Sequence, residues 1–166
     1  MAIEIREARA GELEEVARVL VAAFEQYRPQ GFEGYLRDVA NVRSRVGLAD
    51  LFVAVEAGRV VGTATLYRPN PPHSDRQPWP RAWASLRLLA VEPSHRGRGI
   101  GRMLTDARLR RARELGAPVV VLHTTELFEV SRSMYRRMGW QRAPEYDHWP
   151  LPGLCAEAYV LALDVG

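Results

Sequence analysis

Between Leu88 and Leu104 the chain runs Leu-Leu-Ala-Val-Glu-Pro-Ser-His-Arg-Gly-Arg-Gly-Ile-Gly-Arg-Met-Leu. An apolar strand, a Glu-Pro turn and a glycine-rich loop lead straight into a helical pattern. Gly97, Gly99 and Gly101 stand at alternate positions, so no side chain keeps a ligand off the backbone there. Their N–H groups, with the free N–H groups of the first helical turn, form a pocket for an anion. The positive end of the helix dipole adds to it. Arg96, Arg98 and Arg102 bracket the loop with guanidinium groups suited to phosphate. Backbone and charge both point to a phosphorylated ligand.

Spacing narrows the choice. A dinucleotide fold needs G-x-G-x-x-G after its first strand and an acidic residue ending the next. Here the glycines alternate strictly, position 102 is Arg, and the next apolar run ends at His123. A Walker loop needs Gly-Lys-Ser/Thr. All 23 basic residues are arginine, which excludes a lysine-dependent phosphate site.

Arg96-Gly97-Arg98-Gly99-Ile100-Gly101 resembles the R/Q-x-x-G-x-G/A loop of the GNAT superfamily of N-acetyltransferases. A second block, Ser131-Arg132-Ser133-Met134-Tyr135-Arg136-Arg137-Met138-Gly139-Trp140, resembles that family's A-x-x-x-Y-x-x-x-G-F segment, with Ser for Ala and Trp for Phe. The two blocks come in family order and at family distance, and the likeness runs from the first strand to Leu163. It implies acetyl-coenzyme A as co-substrate, with its pyrophosphate on Arg96, Gly97, Arg98, Gly99, Ile100, Gly101 and Arg102. It also implies that Leu89, Ala90 and Val91 of the fourth strand meet the pantetheine arm and the acyl group. Tyr135 matches the tyrosine that protonates the sulfur. Ser131, four residues earlier, lies on the same helical face one turn nearer the expected cofactor, and is expected to contact it.

Direct acyl transfer to an amine requires a polarised carbonyl, a held amine and two proton movements. Many relatives carry a glutamate on the fourth strand; this chain offers Ser85, Leu86 and Arg87 there. His123, Glu126 or Glu92 could relay the amine proton through water, and the residues leave that choice open. The asparagine often found seven residues before the tyrosine is Phe128 here. The expected function is an acetyl-coenzyme A-dependent N-acetyltransferase acting on a primary amine of a small molecule, amino acid or peptide. The alternative is a GNAT-fold module that binds acyl-coenzyme A as a sensor or docking element without turnover. No metal is expected.

The elements that must position these residues follow from periodicity. Ala2–Ala8 alternates as a first strand. Gly11–Phe24 carries Leu13, Val16, Ala17, Leu20 and Phe24 on one helical stripe, and Phe32–Val46 repeats the pattern. Leu51–Val55 and Arg59–Leu66 are strands joined by the tight turn Ala57-Gly58. Prolines exclude regular structure from Arg68 to Ala82, and Trp79 and Trp83 require that one end packs. That loop, the first two helices and Glu145–Pro150 are expected to build the acceptor site. Ser85–Val91 is the fourth strand, Gly99–Leu115 the cofactor helix and Val119–Leu122 a central buried strand. Val130–Met138 is a short helix, and Ala156–Leu163 closes the sheet. The order β-α-α-β-β-β-α-β-α-β matches the α/β GNAT fold. The resemblance implies a mixed, mostly antiparallel sheet of about six to seven strands with helices on both faces, in one domain over residues 1–166.

Composition bounds the partners. Of the chain's 166 residues 47% are hydrophobic, yet no apolar run is long enough to span a bilayer. The start lacks a signal peptide's apolar core, and the single cysteine, Cys155, suits a reducing cytoplasm as a small core residue. The net charge of +3 comes from arginines dispersed among 20 carboxylates, which argues against nucleic acid. The densest cluster, Arg108, Arg110, Arg111 and Arg113, is expected on a solvated helix face. A homodimer is compatible with these features.

Overall fold

The computed structural model describes residues 2–71 and 78–164. Among these residues the strands are β1 (Glu4–Glu7), β2 (Ala49–Glu56), β3 (Arg59–Tyr67), β4 (Ala84–Val91), β5 (Val119–Thr124), β6 (Gln141–Arg142), β7 (His148–Leu151) and β8 (Leu154–Ala162). The α-helices are α1 (Leu13–Phe24), α2 (Glu33–Ala40), α3 (Ile100–Glu114) and α4 (Glu129–Arg137). The hydrogen-bonded strand order is β1-β2-β3-β4-β5-β8-β6, with β7 on β8. The β1–β2, β5–β8, β6–β8 and β7–β8 pairs are antiparallel and β4–β5 is parallel. Among the described residues no helix is long and apolar enough to cross a membrane.

The chain forms two compact units, each from two segments. The first comprises Met1–Leu66 and Leu88–Arg108, the second Tyr67–Arg87 and Leu109–Gly166. In the first, α1 buries Val16, Val19, Leu20, Ala23 and Phe24, a stripe close to the expected one but shifted from Ala17 toward Val19. Ala57 and Gly58 join β2 to β3 with φ of 51° and 76°, the pair of positive values that a type I′ hairpin turn needs. Gly62 lies where α3 meets β3. A Cβ there would stand 3.0 Å from Ile100 Cγ2 and 3.2 Å from Leu104 Cδ1, so the helix approaches the strand at glycine distance.

Three expectations change. The second helix stops at Ala40 rather than Val46, because Asn41 leaves the helical region at φ −81°, ψ 64°. A 3-10 turn over Val42–Arg45 follows, and the Ser44 hydroxyl donates to the Asn41 carbonyl at 2.7 Å. Asn and Ser favour such local bonds over helix interior, and Val46 ends 54% exposed. Second, Arg108 is 1% exposed, not part of a solvated face. Its guanidinium donates to the Thr65 carbonyl at 3.2 Å and the Thr105 hydroxyl at 3.2 Å, bonds that make burial of the charge tolerable. Third, the sheet has eight strands among the described residues. The extra two, β6 and β7, are too short or too irregular to show a period, and Pro150 suits β7 to an edge.

In the second unit β5 is flanked on both sides. Its Val120, Val121 and Leu122 pair with Ala84, Ser85 and Leu86 of β4 and with Leu161, Val160 and Tyr159 of β8. That double pairing explains its near-continuous apolar run. Within the proline-rich stretch, residues 72–77 lie outside those described. Its flanks are joined by the Asn70 N–H on the Arg81 carbonyl at 2.6 Å.

Candidate functional site

The glycine loop belongs to the first unit. Upstream, β4 breaks its pleat at Leu88, a leucine at φ 58°, immediately before Leu89, Ala90 and Val91. A branched side chain is costly in that conformation and persists only where surrounding structure demands it. Glu92 then anchors the strand's exit. Its N–H donates to the Val61 carbonyl at 2.8 Å, and its carboxylate accepts from Arg18 at 2.8 Å and Arg59 at 3.1 Å.

Pro93–His95 make a 3-10 turn, and the loop follows with Gly97 and Gly99 both at φ 78°. A Cβ at either would meet nothing within 4 Å, so both face open space. The Met103 N–H donates to the Gly99 carbonyl at 3.0 Å, the first bond of α3. The N–H groups of Ile100, Gly101 and Arg102 therefore have no acceptor within the helix. Left-handed glycines leading into free N–H groups at a helix start are a backbone pattern suited to an anion.

The loop's charged side chains are bonded within the protein. Arg96 donates to the Ala23 carbonyl at 3.2 Å and to Gln26 at 3.3 Å. Arg98 pairs with both oxygens of Glu56, and Arg102 with Asp106 at 3.2 Å one turn along α3. The Arg98 guanidinium holds the Glu56 carboxyl below its usual range. His95 lies against the same group, with Nε2 3.4 Å from Glu56. The side chain of Ile100 is buried beside Gly62, so this residue offers only its backbone to a ligand.

The second block belongs to the second unit. Ser131 and Tyr135 share one face of α4, a turn apart. Ser131 is half-buried and Tyr135 buried, its ring edge-on to Trp140 at 5.7 Å. Phe128 precedes the helix, and its carbonyl accepts from the Arg132 N–H at 2.9 Å.

A ring cluster that sequence reading named only piecemeal lies in the same unit. The His123 ring meets Trp79 at 5.5 Å and His148 at 4.9 Å, while Trp83 stands edge-on to Tyr146 at 5.6 Å. Both tryptophans of the proline-rich region thus pack, as their exposure cost requires. His123 Nε2 lies 2.8 Å from the Tyr146 carbonyl. Burial pushes the His123 and His148 imidazoles below their ordinary range, and Arg87 adds to the shift in both.

Asp147 secures the segment that carries Tyr146. Its oxygens take both guanidinium nitrogens of Arg142 at 2.7 and 2.8 Å and the Ala158 N–H at 2.7 Å. These donors hold its carboxyl down at about 2. Sequence gave no sign of this clamp, whose partners are separated by turns without period. Cys155, expected as a core residue, is only half-buried. Burial and nearby Asp147 raise its thiol, which favours the protonated form.

Residues 4–143 match the family model described as an acetyltransferase (GNAT) domain. The chain belongs to the GNAT acetyltransferase family. It is 30% identical to mouse (Mus musculus) N-acetyltransferase 8F1 over 80% of its own length and 59% of that protein. It is 32% identical to mycothiol acetyltransferase of Nocardia farcinica over 78% of its length and 42% of that protein. The chain thus spans about half the length of these curated relatives. The GNAT fold is shared with the PaiA N-acetyltransferase of Thermoplasma acidophilum, solved with coenzyme A, at TM-score 0.76 and 17% identity over 98% of this chain and all (100%) of that one. It is shared too with a GNAT family acetyltransferase of Brucella melitensis solved with acetyl-CoA, at TM-score 0.68 and 24% identity over 98% and 89%.

Proposed function

We propose that this GNAT domain is an acetyl-coenzyme A-dependent N-acetyltransferase that acetylates a primary amine of a small molecule, amino acid or peptide by direct transfer. The observation that carries the reading is the backbone surface at the start of α3. Gly97 and Gly99 are left-handed, open to solvent and continuous with three free helical N–H groups. The fit to a pyrophosphate is in the donor set: two adjacent phosphates need several N–H groups on a surface with no side chain in the way.

When bound, acetyl-coenzyme A supplies an activated thioester. The chain's own residues do the rest. The N–H groups of Gly97, Gly99, Ile100, Gly101 and Arg102 hold the pyrophosphate. Arg96 and Arg98, tied to α1 and β2, set the loop's shape, and Arg96, bonded only to neutral acceptors, gives it positive charge. The backbone of Leu89, Ala90 and Val91 orients the pantetheine arm and the acyl carbonyl, the break at Leu88 having turned that stretch out of the regular pleat. Ser131 contacts the cofactor from α4. Tyr135 donates its phenolic proton to the departing sulfur, a transfer between groups of comparable basicity.

The test is an acetylation screen. Purified protein, acetyl-coenzyme A and a panel of amino acids, alkylamines and short peptides are incubated, and free thiol and acetylated amine are measured together. Equal release of both from at least one amine is expected. Tight acetyl-coenzyme A binding with no acetylated product from any amine would instead fit a binding module.

A further inference from the structure

We propose that His123 is the catalytic base, its Nδ1 taking the proton from the acceptor amine. The inference rests on the acetyltransferase reading above and deepens it by assigning the proton acceptor.

The Tyr146 carbonyl lies 2.8 Å from His123 Nε2 and can only accept. Nε2 therefore carries the hydrogen, and the lone pair of the neutral ring resides on Nδ1. The carbonyl is firmly placed, because the next residue, Asp147, is held by Arg142 and the Ala158 N–H, and the one after, His148, pairs with Ala156. The strand beneath is equally firm: β5 pairs with β8 through His123↔Ala158.

The surroundings suit a base that must stay uncharged until it acts. The imidazole is half-buried between the rings of Trp79 and His148. The charged or titratable groups that act on it are Arg87 of β4, His148 of β7 and Asp147 of the preceding turn. Burial, with His148 and Arg87, lowers the ring's proton affinity against the opposing pull of the Tyr146 carbonyl and Asp147, and the net shift favours the neutral imidazole. The aromatic walls give an incoming amine an apolar surface on which to shed water.

The two carboxylates that sequence left open fit the task less well. Glu92 is occupied by Arg18 and Arg59, and Glu126 is exposed in the turn after β5. The chemistry balances with His123. The amine nitrogen forms a bond to the acetyl carbon as the carbon–sulfur bond breaks. The nitrogen's proton, made strongly acidic by the new bond, passes to Nδ1, and the sulfur takes a proton from Tyr135. Solvent then returns the proton from the imidazolium to the phenolate.

The experiment compares the parent chain with His123→Gln and His123→Ala, using the best amine from the screen. Calorimetry with acetyl-coenzyme A serves as the control for folding and for the underlying reading. Both variants should bind acetyl-coenzyme A within about twofold of the parent while kcat falls roughly 10²- to 10⁴-fold, the range for a lost base. The parent's rate should fall on the acid side with a single apparent pKa below the ordinary histidine value, and that limb should vanish in His123→Gln. Parental kcat and an unchanged acid limb in His123→Gln would overturn the assignment while leaving the acetyltransferase reading intact. A parent that binds no acetyl-coenzyme A, or acetylates no amine, would defeat both. Nitrogen NMR of the ¹⁵N-histidine-labelled parent decides even if the variants fail to fold. At neutral pH His123 should show a protonated Nε2 and a bare Nδ1; the opposite tautomer would overturn the proposal.

Discussion

At the scale of single residues, the loop separates two jobs that arginine and glycine could both have held. Arg96, Arg98 and Arg102 are bonded to Ala23, Glu56 and Asp106, which leaves the backbone N–H groups at the start of α3 as the donors without a helical acceptor. The side chains proposed to move protons, Tyr135 and His123, both belong to the second unit. The Tyr135→Phe change removes one hydroxyl and leaves the ring packed on Trp140. Steady-state kinetics should show kcat reduced roughly 10- to 10⁴-fold, with acetyl-coenzyme A affinity almost unmoved, the signature of a lost general acid. A variant that works like the parent would place the sulfur's proton elsewhere. Asp147→Asn tests the clamp beside His123. It loses the charge that grips Arg142 and the Ala158 N–H, and chemical denaturation at pH 7 should show a loss of about 1–3 kcal/mol. As pH falls toward about 2, where Asp147 itself takes up a proton, the difference between variant and parent should shrink.

At the scale of elements, what could be read from sequence divides by length and period. The glycine loop, α1, α3, β2, β3 and β5 were legible because apolar period, turn residues and flanking glycines agree over many positions. Helix α2 was overextended, since Val42 and Val46 keep the helical spacing after Asn41 has left the helical region. Arg108 was misplaced because its neighbours Arg110 and Arg113 are exposed, and charge clustering says nothing about a carbonyl 43 residues away that accepts its proton. The pair β6 and β7, and the clamp on Asp147, depend on tertiary partners that leave no periodic trace. Of the candidate site, the glycine loop leading into α3 was legible, and the contact of His123 with the Tyr146 carbonyl was not, because Tyr146 is distant in sequence. The close approach of α3 to β3 gives an element-scale prediction. Gly62→Val would push a branched side chain into Ile100 and Leu104, and thermal or urea unfolding should report a loss of about 1–3 kcal/mol. Unchanged stability would mean that α3 can slide away at no cost.

At the scale of the whole molecule, the shifted groups set how stability varies with pH. Glu12, bonded by Arg6 and capping the turn before α1, is held at about 2, as is Asp147. Folded values below unfolded ones mean the unfolded chain binds more protons, so stability rises with pH across that window. Each contributes on the order of 2 kcal/mol, present above the ordinary carboxylate range and lost as pH falls toward about 2. His123 and His148 have the same sign at higher pH. Their lowered values favour the neutral ring in the folded chain, so stability begins to decline as pH drops below the ordinary value of 6.5. Urea midpoints measured from pH 8 to pH 2 should therefore fall gently below pH 6.5 and steeply below pH 4.5. A flat profile down to pH 3 would contradict these assignments.

The central claim is that backbone N–H groups at the start of α3 seat the pyrophosphate of acetyl-coenzyme A. Calorimetric titration of acetyl-coenzyme A into the parent and into Gly99→Asp tests it most directly. Gly99 is exposed, so the aspartate has room and the fold should persist, although φ 78° places some strain on the new residue. Its carboxylate occupies the anion's seat and repels the phosphates. One binding site is expected in the parent and no measurable heat of binding in a Gly99→Asp protein whose circular dichroism matches the parent. Equal affinity in a folded Gly99→Asp would contradict the account.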